Sequence, residues 1–301
     1  MAATKLKNPH LDQMTTDYLY HLNIAIGDTK NSKSLQKQFG DVKFICMGGT
    51  GQRMLMLAKY LRDNLQFQDG GSGNGDFINL TESGHRYAVY KIGPVLCCSH
   101  GVGISSMSIL LHELLKLVKY AKCKDPIFVR VGSSGGIGVN AGTVIITKDA
   151  YNGHLRNQYE LAILGRTVSR PAKFDETICK EILSCANKDD NFETIIGNTL
   201  SAECFYEGQA RLDGASCEYR NEDKLKFLEE CRVKDIKNFE MEAVMFSALM
   251  HHLDVKAAEV CITFLDRLEG DQIKVTKQQK EEFEKRAFII VGRYIQYKLK
   301  Q

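Results

Sequence analysis

The sequence has little proline, little net charge and no long apolar run, and each shortage excludes a class of protein. Proline occurs at only 4 of 301 positions, and no stretch has the composition of a linker, so one large domain over 1–301 is favoured. The formal net charge of +3 indicates neither nucleic acid nor an anionic membrane as a partner. No apolar run reaches transmembrane length, and the polar N-terminus lacks the pattern of a signal peptide.

The cysteines also lack the spacings that would give them a special role. None of the ten forms a C-x-x-C pair or a Cys/His pattern suited to zinc. We therefore expect reduced thiols in a cytoplasmic protein. For the adjacent pair Cys97 and Cys98, packing inside a strand is favoured over redox chemistry.

Strand and helix patterns alternate along the chain. Strands are predicted at 42–47, 86–91, 95–99, 127–131, 143–147, 194–197 and 257–264. Helices are predicted from about 54–65, 107–121, 176–186, 244–249 and 275–300. This alternation predicts an α/β fold with a mostly parallel central sheet and sites at strand ends. Residues 69–85, rich in Gly, Ser and Asn, predict a mobile surface loop.

The stretch from Phe128 to Gly138 carries the strongest single signal. Arg130 interrupts an apolar strand, and the four glycines that follow predict that the strand stops there. A buried guanidinium is costly unless it meets an anion. The glycine-rich turn would offer backbone N–H groups and serine hydroxyls to that anion, which indicates an oxyanion or phosphate site. The alternative is a tight turn with a snorkelling arginine.

Two catalytic motifs are present only in part. Gly132, Ser134 and Gly136 match G-x-S-x-G, the nucleophile elbow of serine hydrolases. That motif needs a helix after the turn, whereas an apolar strand pattern follows here, so the elbow is disfavoured. His112 and Glu113 form half of a zinc-protease motif whose second histidine is missing, and we interpret them as helix surface.

Weaker candidates lie elsewhere in the chain. A glycine turn that includes Gly49 opens a helix with Arg53 in its first turn, which is a possible anion cradle but neither a dinucleotide fingerprint nor a P-loop. His21 lies in an amphipathic patch at 17–26, and by itself it is interpreted as an ordinary surface or half-buried imidazole.

Two further segments suit a nucleoside. Gln209 and Arg211 offer donors and acceptors to the edge of a uracil-like ring, on which Phe205 would stack. The alternative is a polar loop whose arginine pairs with Glu207 or Asp213. The segment Glu240-Met241-Glu242 either places acidic residues at a helix start, where the macrodipole favours them, or grips the vicinal hydroxyls of a sugar.

Together these segments resemble one family. In chain order they are Phe-Gly-Asp-Val-Lys-Phe (39–44), Gly-Gly-x-x-x-Arg (48–53), Arg-Tyr-Ala-Val-Tyr-Lys-Ile-Gly-Pro-Val (86–95), Ser-His-Gly-Val-Gly-Ile (99–104), Arg-Val-Gly-Ser-Ser-Gly-Gly-Ile-Gly (130–138), Phe-Tyr-Glu-Gly-Gln-Ala-Arg-Leu-Asp-Gly (205–214), Glu-Met-Glu (240–242) and Asp-Arg-Leu-Glu-Gly-Asp-Gln-Ile (266–273). The series, from about residue 18 to 275, closely resembles animal-type uridine phosphorylases. The Gln-x-Arg segment is what separates them from purine-specific relatives of the same fold.

The resemblance implies a single three-layer α/β/α domain of the nucleoside phosphorylase superfamily, with a mixed, mostly parallel central sheet. It implies a homodimer with shared active sites, to which an N-terminal arm, residues 1–40, contributes. By this resemblance, phosphate would be held by Gly49, Arg53, Arg130 and Ser133, with Arg86 from the other subunit. The base would be held by Phe205, Gln209 and Arg211, and the ribose by Met241 and Glu242, with Glu240 beside them and the partner's His21 on the 5′ hydroxyl.

The activity implied is the reversible phosphorolysis of uridine to uracil and ribose 1-phosphate in pyrimidine salvage. Inorganic phosphate would be the co-substrate, and no cofactor or metal would be needed. Arg130, Arg211 and Glu242 would carry the catalysis. Two departures from the family pattern are Ser133 in place of Thr, which keeps the hydroxyl, and Ser105 in place of Pro, which removes no ligand. The alternatives are a nucleosidase of the same fold and a catalytically weak nucleoside-binding paralogue.

Overall fold

The structure is a computed structural model that describes residues 6–65, 67 and 77–301. Its chain divides into two compact units, Met1–Val129 with Leu253–Lys256, and Arg130–His252 with Ala257–Gln301. Residues 69–76 of the loop predicted at 69–85 lie outside the described residues. In the rest of that segment, Glu82–Gly84 forms one turn of 3₁₀-helix.

The first unit contains a hairpin, a small mixed sheet and helices. Its elements are β1 (Asp17–Leu19), β2 (Ile24–Ile26), α1 (Lys33–Phe39), β3 (Phe44–Gly48), α2 (Gly51–Leu65), β4 (Val89–Ile92), β5 (Val95–Ser99) and α3 (Ile104–Tyr120). β5 pairs in parallel with β3 and antiparallel with β4. β3 and β5 are buried along their whole length, which explains their almost entirely apolar sequences.

The second unit contains most of the strands. Its elements are β6 (Ile127–Gly136, which begins in the first unit), β7 (Val144–Tyr151), β8 (Gln158–Ile163), β9 (Arg166–Pro171), α4 (Glu176–Ser184), β10 (Thr194–Ser201), α5 (Asn221–Val233), β11 (Ile236–Glu240), α6 (Ala243–Leu253), β12 (Ala257–Asp266) and α7 (Lys277–Leu299). β10 is parallel to both β7 and β11, and β12 is antiparallel to β7. β6 lies beside β12 and also pairs antiparallel with β11, which closes these five strands on themselves.

The register of this sheet brings polar strand ends together. Ser201 at the end of β10 is level with Glu240 at the end of β11, as expected for parallel neighbours whose carboxyl ends share one edge. On the same strands, α5 packs Leu228 and Cys231 against Leu200 and Phe239 in a fully buried cluster. The strands that carry Ser201 and Glu240 are therefore also packed against a fully buried apolar cluster.

The longest helix of the described residues, α7, is amphipathic. α7, with 23 residues, is capped by Thr276 and Gln279 in a reciprocal capping box, and its buried side chains lie between Phe283 and Ile295. In the part of the chain that the structure describes, no helix combines the length and the apolar content needed to span a bilayer.

Most predicted elements are present, and three predictions are wrong. β6 does not stop at Val131 but continues through Gly136, because Gly135 and Gly136 pair with β11. The predicted strand at 86–91 begins only at Val89. No strand was predicted between 147 and 176, where the structure has the hairpin of β8 and β9. None of its residues is fully buried, and the alternation Gln-Tyr-Glu-Leu at the start of β8 was a signal that was missed.

Candidate active site

A buried arginine with three carboxylates lies at the centre of the candidate site. Arg130 on β6 is only 3% exposed. Its Nη1 atom is 2.7 Å from Oε2 of Glu259 and 2.9 Å from Oε2 of Glu240, and its Nη2 atom pairs with Oε2 of Glu242. The anion expected for this guanidinium is thus supplied by the chain itself, from β11, the start of α6 and β12.

The cluster contains three carboxylates and one guanidinium, and burial together with the neighbouring charges shifts the pKa values of Arg130 and Glu240. Burial lowers the pKa of Arg130, but Glu242, Glu259 and Glu240 outweigh burial and hold that pKa well above its ordinary value. Burial and the charge of Glu259 raise the pKa of Glu240 to about 8, against the opposing effect of Arg130. We infer that the cluster holds a proton at neutral pH, because a fully ionised set would bury excess negative charge.

Glu240 also fixes the backbone of the Glu-Met-Glu segment. Its carboxylate accepts hydrogen bonds from the N–H groups of Glu242 at 2.7 Å and Ala243 at 3.0 Å, and from the hydroxyl of Ser201. These N–H groups belong to the first turn of α6, where a carboxylate is a favourable partner. The helix-start interpretation of this segment is therefore correct for Glu240, while Glu242 turns toward Arg130.

Glu259 is a member of the cluster that the sequence analysis missed. Its Oε1 atom lies 2.8 Å from the hydroxyl of Thr147, which lies 2.7 Å from the hydroxyl of Thr199, which in turn donates to Asn238 at 2.7 Å. All four residues are fully buried. The available signal was a single acidic residue inside the apolar run of β12, matching the single basic residue inside β6.

Gly132 leaves the room that Arg130 needs. A Cβ atom at this position would lie 2.6 Å from Nη1 of Arg130 and 2.7 Å from Sγ of Cys261, so any larger residue would displace the guanidinium. Ser134 is buried within β6, and its hydroxyl donates to the carbonyl of Ile262 at 3.3 Å. Because Ser134 lies inside a strand and not on a strand-to-helix turn, the nucleophile elbow is excluded. Ser133, the predicted phosphate ligand, is half-buried on the same strand.

The residues predicted to contact the base lie together in one loop of the second unit. Gln209 ends a short 3₁₀-helix and is 5% exposed. Arg211 donates to Asp213 through Nε and Nη2, at 2.8 and 2.6 Å, and its guanidinium lies 4.5 Å from the ring centre of Phe205. The pairing with Asp213 was the alternative interpretation of this arginine, and the structure confirms it. Phe205 is 45% exposed.

A second buried arginine, also missed, holds Gln209 in place. Arg267 donates through Nη1 to the side-chain oxygen of Gln209 at 3.2 Å and through Nη2 to its backbone carbonyl at 2.7 Å. Arg267 pairs with Asp271, which also accepts from Lys224 at 2.8 Å and from the N–H of Leu212 at 3.1 Å. Burial raises the pKa of Asp271, but its bond with Lys224 and these other partners outweigh burial and leave it below its ordinary value.

The remaining predicted residues lie in the first unit. Gly49 is in the turn between β3 and α2, and a Cβ atom added there would lie 3.9 Å from Nη1 of Arg53. Arg53 is half-buried and donates through its backbone N–H to Thr50 at 3.2 Å. Arg86 is exposed just before β4. These positions are compatible with an anion cradle at a helix N-terminus.

His21 is held by a residue that the sequence analysis assigned wrongly. Glu113 on α3 is buried, not helix surface, and its carboxylate binds the hairpin turn that carries His21. The Nδ1 atom of His21 is 2.7 Å from Oε1 of Glu113. The prediction failed because an acidic residue amid leucines is expected to face water unless donors from another segment reach it.

The ten cysteines are all free thiols. Cys97 and Cys98 are completely buried side by side on β5. A hydrogen bond with Cys46, together with burial, raises the pKa of Cys97, and burial raises that of Cys98. Thiols of this kind are poor nucleophiles, which supports the packing interpretation.

Comparison with known proteins defines the class of this site. Residues 43–296 match the model of the Phosphorylase superfamily, and the chain belongs to this family. It is 40% identical to human "Uridine phosphorylase 2" over 98% of this chain and 90% of the relative. It superposes with a TM-score of 0.92 and 37% identity on a uridine phosphorylase structure from the oomycete Phytophthora capsici, covering 100% of this chain and 99% of that one. The predicted α/β fold with a mixed central sheet is thereby confirmed.

One relative shows that a protein of this family can lack catalytic activity. The chain is also 33% identical to "Inactive uridine phosphorylase B" from Schistosoma mansoni, over 96% of this chain and 94% of the relative. Activity therefore depends on the particular side chains of the site and not on the fold.

Proposed function

We propose that this protein is a uridine phosphorylase, a pentosyltransferase that reversibly converts uridine and phosphate to uracil and ribose 1-phosphate. The observation that carries the proposal is the base loop, residues 205–213, in which Gln209 and Arg211 are both buried and are held by Arg267 and Asp213. The chain that contains it is 40% identical to a uridine phosphorylase. We propose a role in pyrimidine salvage, a cytoplasmic location, and no cofactor beyond the phosphate substrate.

The reaction determines what the residues must do. Cleavage of the bond between C1′ and N1 places positive charge on the ribose and negative charge on the departing uracil. Donors fixed in advance toward the uracil oxygens stabilise that negative charge in the transition state. Gln209, immobilised by Arg267, and Arg211, immobilised by Asp213, are donors of this kind. Phe205 would offer its exposed ring face to the base.

The ribose is assigned to the Glu-Met-Glu segment. Glu242, oriented by Arg130 and by the capping bonds of Glu240, would accept hydrogen bonds from the 2′ and 3′ hydroxyls. Met241, half-buried between the two glutamates, would pack against the sugar ring. A carboxylate whose position is fixed holds the sugar in register while its ring flattens.

The carboxylates on Arg130 refine the assignment of phosphate. Because Arg130 already faces three carboxylates, it would contribute position more than net positive charge to a phosphate held with Ser133. Most of the attractive charge would come from Arg53, near Gly49, and from Arg86. The phosphate would lie beneath C1′, where it is both nucleophile and counter-ion to the developing positive charge.

We further propose a homodimer in which Arg86 and His21 complete the partner's site. Both residues lie in the first unit and are accessible to solvent. Beside His21, Tyr20 is 74% exposed and forms an edge-to-face pair with Tyr18 at 5.0 Å. Exposed aromatic side chains of this kind are enriched at interfaces between proteins.

The direct test is an absorbance assay of uracil release from uridine with and without phosphate. We expect release only when phosphate is present, and Arg211→Ala should reduce kcat/KM about a hundredfold, the usual effect of removing one preorganised donor. Arg232→Ala is the control, because Arg232 pairs with Glu229 on the exposed surface of α5 and should leave the kinetics unchanged.

Other outcomes would identify the alternatives. Uracil release that is independent of phosphate would indicate a nucleosidase of the same fold. Binding of uridine without turnover in either condition would indicate a catalytically weak paralogue, as the inactive schistosome relative suggests.

A further inference from the structure

A buried carboxylate in the first unit has a function that the packing of its helix does not explain. Glu113 lies on α3 between Leu111 and Leu114, both of which are fully buried, and it is itself 8% exposed. Burying an ionised carboxylate is costly unless donors saturate it. A leucine at this position would complete the apolar face of α3. We therefore expect the role of the carboxylate to lie in the groups that donate hydrogen bonds to it.

The carboxylate of Glu113 accepts hydrogen bonds from the turn between β1 and β2. The N–H of His21 lies 3.0 Å from each carboxylate oxygen, and the N–H of Leu22 lies 2.9 Å from Oε2. The third donor is the imidazole, with Nδ1 at 2.7 Å from Oε1. The carboxylate therefore fixes both the backbone and the ring of His21.

These contacts determine which ring nitrogen carries the hydrogen. A carboxylate can only accept, so the bond at 2.7 Å requires the hydrogen to be on Nδ1. In the neutral ring, Nε2 then carries the lone pair. The side chain of His21 is 38% exposed, so the ring remains accessible to a ligand.

We propose that Glu113 is a positioning residue: it holds His21 as the Nδ1–H tautomer, so that Nε2 accepts a hydrogen bond from a primary hydroxyl group of the substrate. In uridine the primary hydroxyl is the one on C5′. The inference rests on the proposed function for the identity of the substrate, but the state of the histidine ring is independent of it.

The first test is the ¹⁵N NMR spectrum of the wild-type protein labelled at histidine, with His21 assigned by its absence in His21→Gln. The Nδ1–H tautomer is expected. An Nε2–H tautomer in the neutral ring would overturn the proposal. This measurement needs neither catalysis nor a substitution at Glu113, so it decides the matter even if that variant fails to fold or the chain has no phosphorylase activity.

The second test uses Glu113→Gln in the uracil-release assay. We expect KM for uridine to rise about tenfold with kcat changed less than about twofold, because one positioned hydrogen bond is worth roughly that factor. With 5′-deoxyuridine, which lacks the primary hydroxyl, KM should be the same for both proteins. An equal rise with both substrates would show that Glu113 acts only on the fold.

A double-mutant cycle separates positioning from general loosening. In a His21→Ala background, Glu113→Gln should have no further effect on KM, whereas additive effects would contradict action through the imidazole. His112→Gln is the matched control, since it changes the neighbouring, exposed residue of the same helix and should leave KM unchanged.

Discussion

At the scale of single residues, Arg130 shows what a lone charge in an apolar strand signifies. Its position inside β6 correctly predicted an anionic partner, but not which one. Three carboxylates meet it, from residues 110 to 129 positions further along the chain. A sequence shows that a buried charge needs a partner; it does not show whether that partner is a ligand or another part of the same chain.

Gln209 and Glu113 make the same point for hydrogen bonds. The carboxamide of Gln209 was predicted as a base contact, yet the arginine that orients it, Arg267, follows 58 positions later. The donors that make Glu113 a buried residue come from 91 and 92 positions earlier. Residue type predicted the chemistry, whereas the choice of partner is set by the tertiary fold.

The ionisation of Glu240 gives a prediction about pH. Its pKa is raised from an ordinary value of 4.5 to about 8 by burial and by Glu259, so the folded protein binds a proton that the unfolded chain releases above pH 4.5. The stability from this group is therefore complete below about pH 4.5 and is lost as pH rises through about 8. In Glu240→Gln, which keeps the shape but not the titration, this pH dependence should flatten.

The measurement is the free energy of unfolding in urea at pH 5.5 and pH 8.5. For the wild type, the value at the higher pH includes the loss from Glu240, and for Glu240→Gln it does not. Glu269→Gln changes an exposed carboxylate and should behave like the wild type. An unchanged pH dependence in Glu240→Gln would place the proton elsewhere in the cluster.

At the scale of elements, the base loop is held in place by Asp271 and its partners, which lie in two later segments of the chain. Asp271, just beyond β12, receives Arg267, Lys224 of α5 and the N–H of Leu212. In Asp271→Asn, one acceptor oxygen becomes a donor that faces other donors. We expect KM for uridine to rise about tenfold or more and the free energy of unfolding to fall by about 1–3 kcal/mol.

Asp190→Asn provides the comparison for that experiment. Asp190 forms a two-bond pair with Arg293 of α7 at 2.7 and 2.8 Å, and its side chain is as buried as that of Asp271. It should lose similar stability without any change in KM. If both variants changed KM equally, Asp271 and its partners would have no specific effect on the base loop.

Elements with strong periodicity were predicted best. The buried strand at 95–99 and the helices α3 and α7 are present close to where the apolar pattern placed them. Where the sequence contains several glycines, as in β6, turn propensity was overestimated, because strand pairing with β11 satisfies the same backbone groups. The hairpin of β8 and β9 has no fully buried residue, and the short polar–apolar alternation of Gln158 to Leu161 was the one signal it offered.

At the scale of the whole molecule, the proposed sharing of sites between subunits leads to complementation. Arg86→Ala and Arg211→Ala should each remove most activity when alone. In a random mixture of the two chains, half of the dimers are mixed, and each of these retains one intact site. Roughly a quarter of wild-type activity should therefore return.

The assay is uracil release after the two variants are co-expressed from separately tagged genes. Mixed dimers isolated through both tags should have about half of wild-type activity, because one of their two sites is intact. A pair of Arg130→Ala and Arg211→Ala chains is the control, because these residues belong to one unit of one chain and mixed dimers should regain nothing if both serve the same subunit's site. Absence of recovery in the first pair would mean that each chain builds its own site.

The distance along the chain between Arg130 and Glu259, 129 residues, has a consequence for biosynthesis. When Arg130 leaves the ribosome, the carboxylate that will meet it has not yet been translated. The guanidinium must stay hydrated until then, because a desolvated and uncompensated charge is too costly. The closed sheet of β6, β7, β10, β11 and β12 therefore cannot form until β12 has been translated. During most of its synthesis the nascent polypeptide keeps these strands incompletely paired, and chaperones can bind them.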